Sequence, residues 1–174
     1  MSGAMLERGV ERMHKNRLFL LFRIGGERYA LEAGDVAEVL PCLPLKPIAR
    51  APVWVAGVFA HRGVMVPVID VSAMTFGQPA PVRTSTRMVL VHYCEGAGQP
   101  PHLLGLILEQ ATETLRCALE DFQPYGLDNR DAPYLGPVRE DEQGLVQWLR
   151  VDDLLAPSVR DLLFPDGQPP EVQP

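Results

Sequence analysis

Histidines and cysteines are the residues with which this chain could most readily do chemistry, and their spacing decides what kind. His61, His92 and His102, together with Cys94, invite a zinc reading, because His92 and Cys94 would share one strand face and His102 follows across a hairpin. A structural zinc site draws on four ligands at recurring spacing. No fourth ligand stands at such a spacing, so these read as ordinary surface and hairpin histidines and no metal is expected. Ser72, Asp70 and His61 supply the residue types of a hydrolase triad. The chain has no Gly-x-Ser-x-Gly elbow, no Gly-x-Gly-x-x-Gly fingerprint and no phosphate-binding Gly-Lys loop. Asp70 reads more simply as a strand-end acceptor for backbone amides. No catalytic residue, enzyme activity or cofactor is expected. Arg62 stands apart, in a Gly-flanked turn between two apolar runs. Its planar fork of donors suits either an anchor for a partner or an internal pair with Asp70 or Glu38.

The bulk composition narrows the function classes. The chain has 174 residues, 47% hydrophobic and 22% charged, which suits one folded domain or two small subdomains on one core. A net charge of -6 argues against nucleic acid, which needs a concentrated basic surface. The mostly apolar stretch from Val53 to Val71 is broken by Gly57, His61, Arg62, Gly63, Pro67 and Asp70, a set that a membrane span would not carry. No secretion signal is visible near the start. Three widely spaced cysteines, Cys42, Cys94 and Cys117, fit reduced thiols in a cytosol.

The elements that must position Arg62 and its neighbours read as short strands. Leu18 to Ile24 is an apolar run ended by Gly25-Gly26, and Glu27 to Glu32 then alternates, so the two form a hairpin. The alternation puts Arg28, Ala30 and Glu32 on one face and Tyr29 and Leu31 on the other. Val36 to Leu40, Gly57 to Ala60 and Val64 to Val71 follow, with Pro67 calling for an edge position or a bulge. A helical turn is expected at Val71 to Met74. Further strands are expected at Arg87 to Cys94, Leu103 to Glu109, Glu113 to Ala118, Leu135 to Val138 and Gly144 to Val151. A brief terminal helix is expected at Val159 to Phe164, after Pro157-Ser158.

A faint repeat runs through this pattern. Tyr29-Ala-Leu31 resembles Leu104-Gly-Leu106, and Val36-Ala-Glu38-Val-Leu40 resembles Ala111-Thr-Glu113-Thr-Leu115. Both pairs keep one offset, and the simplest account is two similar five-stranded barrels in tandem.

Specific family features appear between Leu18 and Asp70. Leu18-Phe-Leu-Leu-Phe22, Gly26-Glu-Arg-Tyr-Ala30 and Val36-Ala-Glu38-Val-Leu40 resemble the opening of a CheW-type chemotaxis coupling protein. Ala51-Pro-Val-Trp-Val-Ala-Gly57 is similar to that family's apolar link into its fourth strand. Arg62-Gly63-Val-Met-Val-Pro67-Val-Ile-Asp70 is similar to its most recognisable run. Leu104 to Glu109 and Val146 to Asp152 extend the resemblance more weakly into the second half. Ala60-His61 departs from the Asn-Leu usual before the Arg-Gly pair. The connection His92 to Pro101 is long, and Tyr125 to Pro133 is polar and irregular.

The resemblance implies a mostly β fold: two SH3-like five-stranded β-barrel subdomains sharing a hydrophobic core, with a short C-terminal helix. Residues 17–165 would form this domain of two intertwined barrels, between flexible tails at 1–16 and 166–174. The implied function is that of a non-enzymatic adaptor, or scaffold. It would couple the cytoplasmic tip of a methyl-accepting receptor to the regulatory domain of a CheA-type histidine kinase. Such a protein would be cytoplasmic, recruited to receptor arrays at the inner membrane without inserting into it. Val36, Glu38, Leu40 and Arg62 would face the receptor, and Leu45, Lys46, Ile48 and Trp54 the kinase. Two alternatives stand beside this. One is a paralogous coupler in a non-flagellar pathway, such as surface sensing with second-messenger output, and the other is a small-ligand sensor.

Overall fold

The computed structural model describes residues 16–96, 98–127 and 129–165. The two expected tails lie outside them, except that Asn16 already opens the first strand. β1 (Asn16–Ile24) and β2 (Glu27–Glu32) form the expected hairpin, turning at Gly25 and Gly26, with φ of 59° and 86°. A 3-10 turn at Ala33–Asp35 leads into β3 (Val36–Pro41). β4 (Val55–His61), β5 (Val64–Asp70) and the short helix α1 (Val71–Phe76) follow. The second half holds β6 (Arg87–Tyr93), β7 (His102–Ala118), β8 (Leu135–Asp141) and β9 (Gly144–Leu149). A 3-10 turn at Val151–Asp153 and helix α2 (Pro157–Leu163) close the described chain.

The strands pair in two five-membered sets joined by β7. Its first half, His102 to Leu108, pairs antiparallel with β6 and parallel with β5, giving the order β3-β6-β7-β5-β4. Its second half pairs antiparallel with β1, giving β7-β1-β2-β9-β8. The two orders correspond position by position, including one parallel pair in each. The tandem arrangement needs a correction, however. Each barrel takes two strands from the other repeat: β1 and β2 complete the second, β6 and the first half of β7 complete the first.

A second correction concerns β7, expected as two strands and found as one of 17 residues. Between Leu21↔Glu113 and Arg23↔Glu109 the β1–β7 ladder shifts register, and Gln110 stands there with φ of 49°. A bulge of this kind bends a strand and increases its twist. The bend lets one strand leave the first sheet and enter the second without a loop.

Both faces of the central strands are covered, which explains the near-continuous apolar runs. Leu20, Phe22, Ile24, Tyr29 and Leu31 of one barrel meet Ile69, Val89, Val91, Leu104 and Leu106 of the other in a shared core. On the opposite face Phe19, Ala30, Cys117, Phe122 and Val146 fill the interior of the second barrel. Phe19 meets Trp148 edge-on at 5.6 Å and Phe122 at 5.3 Å between ring centroids. Ala30, expected on a polar face, is therefore fully buried. The alternation of β2 separates two apolar environments rather than core from water. Charge on that face lies toward the two ends of β2, at Arg28 and Glu32. The Arg28 guanidinium grips both oxygens of Asp141 at 2.7 Å, tying β2 to the β8–β9 hairpin. These hydrogen bonds hold the Asp141 carboxyl well below the usual carboxylate range.

Pro67 is also corrected. It lies neither on an edge nor at a bulge, because β5 runs between β4 and β7. Val58, its partner on β4, exchanges both backbone hydrogen bonds with Lys46 at 2.9 Å on the other side. Val58 and Pro67 are thus a non-hydrogen-bonded pair, so the proline nitrogen faces β7, whose ladder with β5 begins only at Val68. No donor is needed there.

Lys46 reaches Val58 because Gly57 lets the backbones approach. A Cβ on Gly57 would lie 2.6 Å from the Lys46 carbonyl oxygen, and its φ is 148°. The obstacle is backbone, which cannot swing aside. Gly57→Ala is expected to destabilise the protein by about 2 kcal/mol or more. Urea unfolding midpoints check this, and an unchanged midpoint would contradict the close approach.

Candidate partner-binding surface

Among the described residues β3 is an edge strand, hydrogen-bonded to β6 alone. Its residues alternate strictly, Val36, Glu38 and Leu40 half-buried, and Ala37, Val39 and Pro41 exposed. Val36 packs against the shared core. The ladder shifts register between Val36 and Glu38. Val39 at 45% exposure, and Leu43 beyond the strand at 40%, add apolar surface that the sequence reading did not select. The signal was available in the same alternation, read for the opposite face.

The β4–β5 turn lies beside Glu38. His61 pairs with Val64, leaving a two-residue loop in which Arg62 and Gly63 have φ of 50° and 80°. Two positive φ values match the twist of the flanking strands, as in a type I′ turn, where Asn, Asp or Gly is the common first residue. Arginine there is a strained choice, of the kind that gathers at functional positions. The Arg62 side chain is 78% exposed, with Nη2 3.5 Å from Glu38 Oε1. His61 sits closer, its Nε2 2.9 Å from Glu38 Oε2, and its ring lies 5.8 Å from that of Phe59. Of the two internal partners considered for Arg62, the structure brings up Glu38. Asp70 is engaged elsewhere, accepting from the amides of Ala73 at 3.1 Å and Ala80 at 2.9 Å, where it caps α1.

The residues expected to face a kinase divide into two groups. Leu45 and Lys46 lie along β4, Leu45 against Gly57 and Lys46 bridged to Val58. Ile48 and Trp54 instead pack against the shared core. Trp54 also lines a groove of about 640 Å³ with Met74, Tyr93 and Tyr134. Its carbonyl accepts the Asp70 amide at 2.8 Å.

The hydrolase triad and zinc readings gain no geometry. His61 and Asp70 flank opposite ends of β5, roughly 20 Å apart at strand rise. Among the described residues no group of three or more His, Cys, Asp or Glu side chains could hold a metal ion. His102 is not the surface histidine expected: it is buried, stacked on Phe164 at 4.3 Å, with Nε2 3.7 Å from Glu95. Burial pushes its pKa down, partly opposed by the Glu95 charge. Phe164 also stacks on Tyr93 at 5.8 Å, so the residue after α2 meets both rings.

The described surface thus places an exposed cation beside an edge strand. The chain matches the CheW-like domain family over residues 18–158, and it belongs to that family. It is 27% identical over 141 residues to the chemotaxis protein CheW of Helicobacter pylori, covering 79% of this chain and 80% of that protein. With the chemotaxis protein CheW of Rhizobium meliloti it shares 28% identity over 108 residues, 62% of this chain and just under two thirds (66%) of that protein. The crystal structure of the scaffolding protein TtCheW from Thermoanaerobacter tengcongensis has the same fold. The TM-score is 0.68 at 19% identity, covering 88% of this chain and 91% of that one.

Asp35, directly before β3 in the turn joining the barrels, carries a pH signature. Burial, then the charges of Glu32 and Asp152, push its pKa up to about 6, while His92 acts the other way. The native state therefore holds this proton where the unfolded chain has released it. Stability associated with Asp35 is present below about pH 4 and is lost as pH rises through about 6. Asp35→Asn is expected to flatten the decline between those pH values and to raise stability at pH 7. Urea titrations at pH 4, 5, 6 and 7 test this, and an undiminished slope in the variant would refute it.

Proposed function

We propose that this chain is a coupling adaptor that joins the cytoplasmic tip of a methyl-accepting receptor to the regulatory domain of a CheA-type histidine kinase. The receptor takes the surface of β3 with Arg62, through Val36, Glu38, Leu40 and the guanidinium. The kinase takes the corner formed by Leu45, Lys46, Ile48 and Trp54. The observation that carries the reading is the exposed Arg62, fixed in a positive-φ turn beside an unpaired strand edge, within a CheW-like domain. The turn fixes the backbone of Arg62, so binding has only its side chain left to order there. The adaptor acts by geometry: by holding receptor and kinase in one assembly, it lets the receptor's conformation bias the kinase. Among the described residues no helix is long and apolar enough to cross a membrane. That accords with a cytoplasmic protein recruited to a receptor array.

The test uses a receptor-tip hairpin and a kinase regulatory domain encoded in the same genome, with affinities read by calorimetry. Arg62→Glu is expected to weaken the receptor hairpin about tenfold or more and to spare the kinase domain. Lys46→Glu, exposed and joined to Val58 through its backbone, is expected to do the reverse. Trp54→Ala is a poorer probe because Trp54 supports the core. If both charge reversals leave both affinities unchanged, the assignment of the two surfaces fails.

A further inference from the structure

Glu38 has two cationic or donor neighbours, and they do not share it equally. A carboxylate oxygen only accepts, so His61 Nε2 carries the proton in the 2.9 Å contact with Oε2. That distance is a normal hydrogen bond, whereas 3.5 Å from Arg62 Nη2 to Oε1 lies beyond the usual range. Exposure follows the same order: the His61 side chain is 16% exposed and the Arg62 side chain 78%. Phe59 flanks the imidazole on the same strand. Histidine is thus the ordered partner of the carboxylate, and arginine the loosely attached one.

We propose that His61 is a positioning residue that sets the specificity of this surface: by occupying Glu38, it keeps the Arg62 guanidinium open for a carboxylate on the receptor. The proposal rests on the adaptor reading above and names the residue that tunes it. A guanidinium and a carboxylate on adjacent elements tend to close into a bidentate pair, the stronger arrangement for both. Here the imidazole donor at 2.9 Å holds Oε2 and orients the carboxylate, and Arg62 approaches only Oε1, at 3.5 Å, so the pair stays open rather than bidentate. Arg62 then keeps its donor fork for a partner acid. Removing the imidazole donor frees Oε2, and Arg62 turns inward onto Glu38.

Two readouts separate this inference from the reading beneath it. His61→Leu keeps bulk against Phe59 but removes the donor, and His61→Ala serves as a second variant should leucine impair folding. His61→Gln retains a donor. By NMR, exchange of the Arg62 side-chain N–H with water is expected to slow in the leucine and alanine variants and to stay fast in the glutamine variant. Affinity for the receptor-tip hairpin is expected to fall about tenfold in the first two and to be restored by glutamine. Unchanged Arg62 exchange in both donor-less variants would overturn the inference, whatever the receptor does. Slowed exchange with unaltered affinity would overturn its receptor-facing half. A wild-type protein that fails to bind the hairpin, yet shows the predicted exchange pattern, would sink the adaptor reading and leave the His61 clamp standing.

Discussion

One strand serving two barrels is the constraint from which the remaining architecture follows. β7 contributes its first half to one five-stranded sheet and its second half to the other. The bulge at Gln110 turns it between them. Because the backbone is continuous, the two barrels cannot drift apart, and their facing sides must be dry. The shared core answers that demand with side chains from both barrels and from the segment after β9: Val151, Leu154, Leu155, Leu163 and Phe164. At about 25 cal/mol per Å² of apolar area removed from water, such two-sided burial is the main favourable term available to a domain of this size. The exchange of β1 and β2 against β6 and the start of β7 adds to it, since neither repeat can complete a barrel without the other.

Closing the interior in this way determines which strand edges and charges stay open. In the first barrel the order β3-β6-β7-β5-β4 leaves β3 as an edge, and the β4–β5 turn brings Arg62 and His61 beside it. The far side of β4 is occupied by the Lys46 bridge, which depends on a residue without a side chain at Gly57. Open pairing groups and loosely tethered charge therefore fall near β3, while bridged backbone falls along β4. In the second barrel the Arg28–Asp141 pair is bidentate and largely sheltered, so it binds strands together and leaves little for a partner. The two arginines show how one chemistry serves opposite ends. Arg28 meets both oxygens of its acid at 2.7 Å, whereas Arg62 comes no nearer than 3.5 Å to one oxygen of an acid that His61 holds at 2.9 Å.

Particular residues show how far the linear pattern reached. The hairpin at Gly25-Gly26, the strands from Val36 to Asp70 and the apolar run of β6 were legible, because turn glycines and β-rich runs act over a few residues. The internal repeat was legible too, and the matched strand orders give it a structural meaning. Glu38 and Arg62 stood out by type and by their Gly-flanked or apolar setting. The pairing of His61 with Glu38 did not, since 23 positions separate them and the contact exists only once β3 lies beside the β4–β5 turn. His102 was misread for a similar reason: its cover is Phe164, supplied by the far end of the described chain. Ala30 and Pro67 failed because alternation and proline rules assume one wet face or one open edge. Here the other face is a second core, and the unpaired side of the proline precedes the neighbouring ladder.

The amino-acid sequence alone therefore determined the local vocabulary of this protein: β-rich runs, tight turns, a repeated five-strand unit and a family signature around Arg62-Gly63. It could do so because those features depend on backbone preferences and side-chain alternation over short spans. Only the tertiary structure decided which repeat lends its strands to which barrel and which faces are dry. It alone settled which acid each arginine meets. Those are pairings between distant segments, set by how two sheets can share one interior, and no local propensity encodes them.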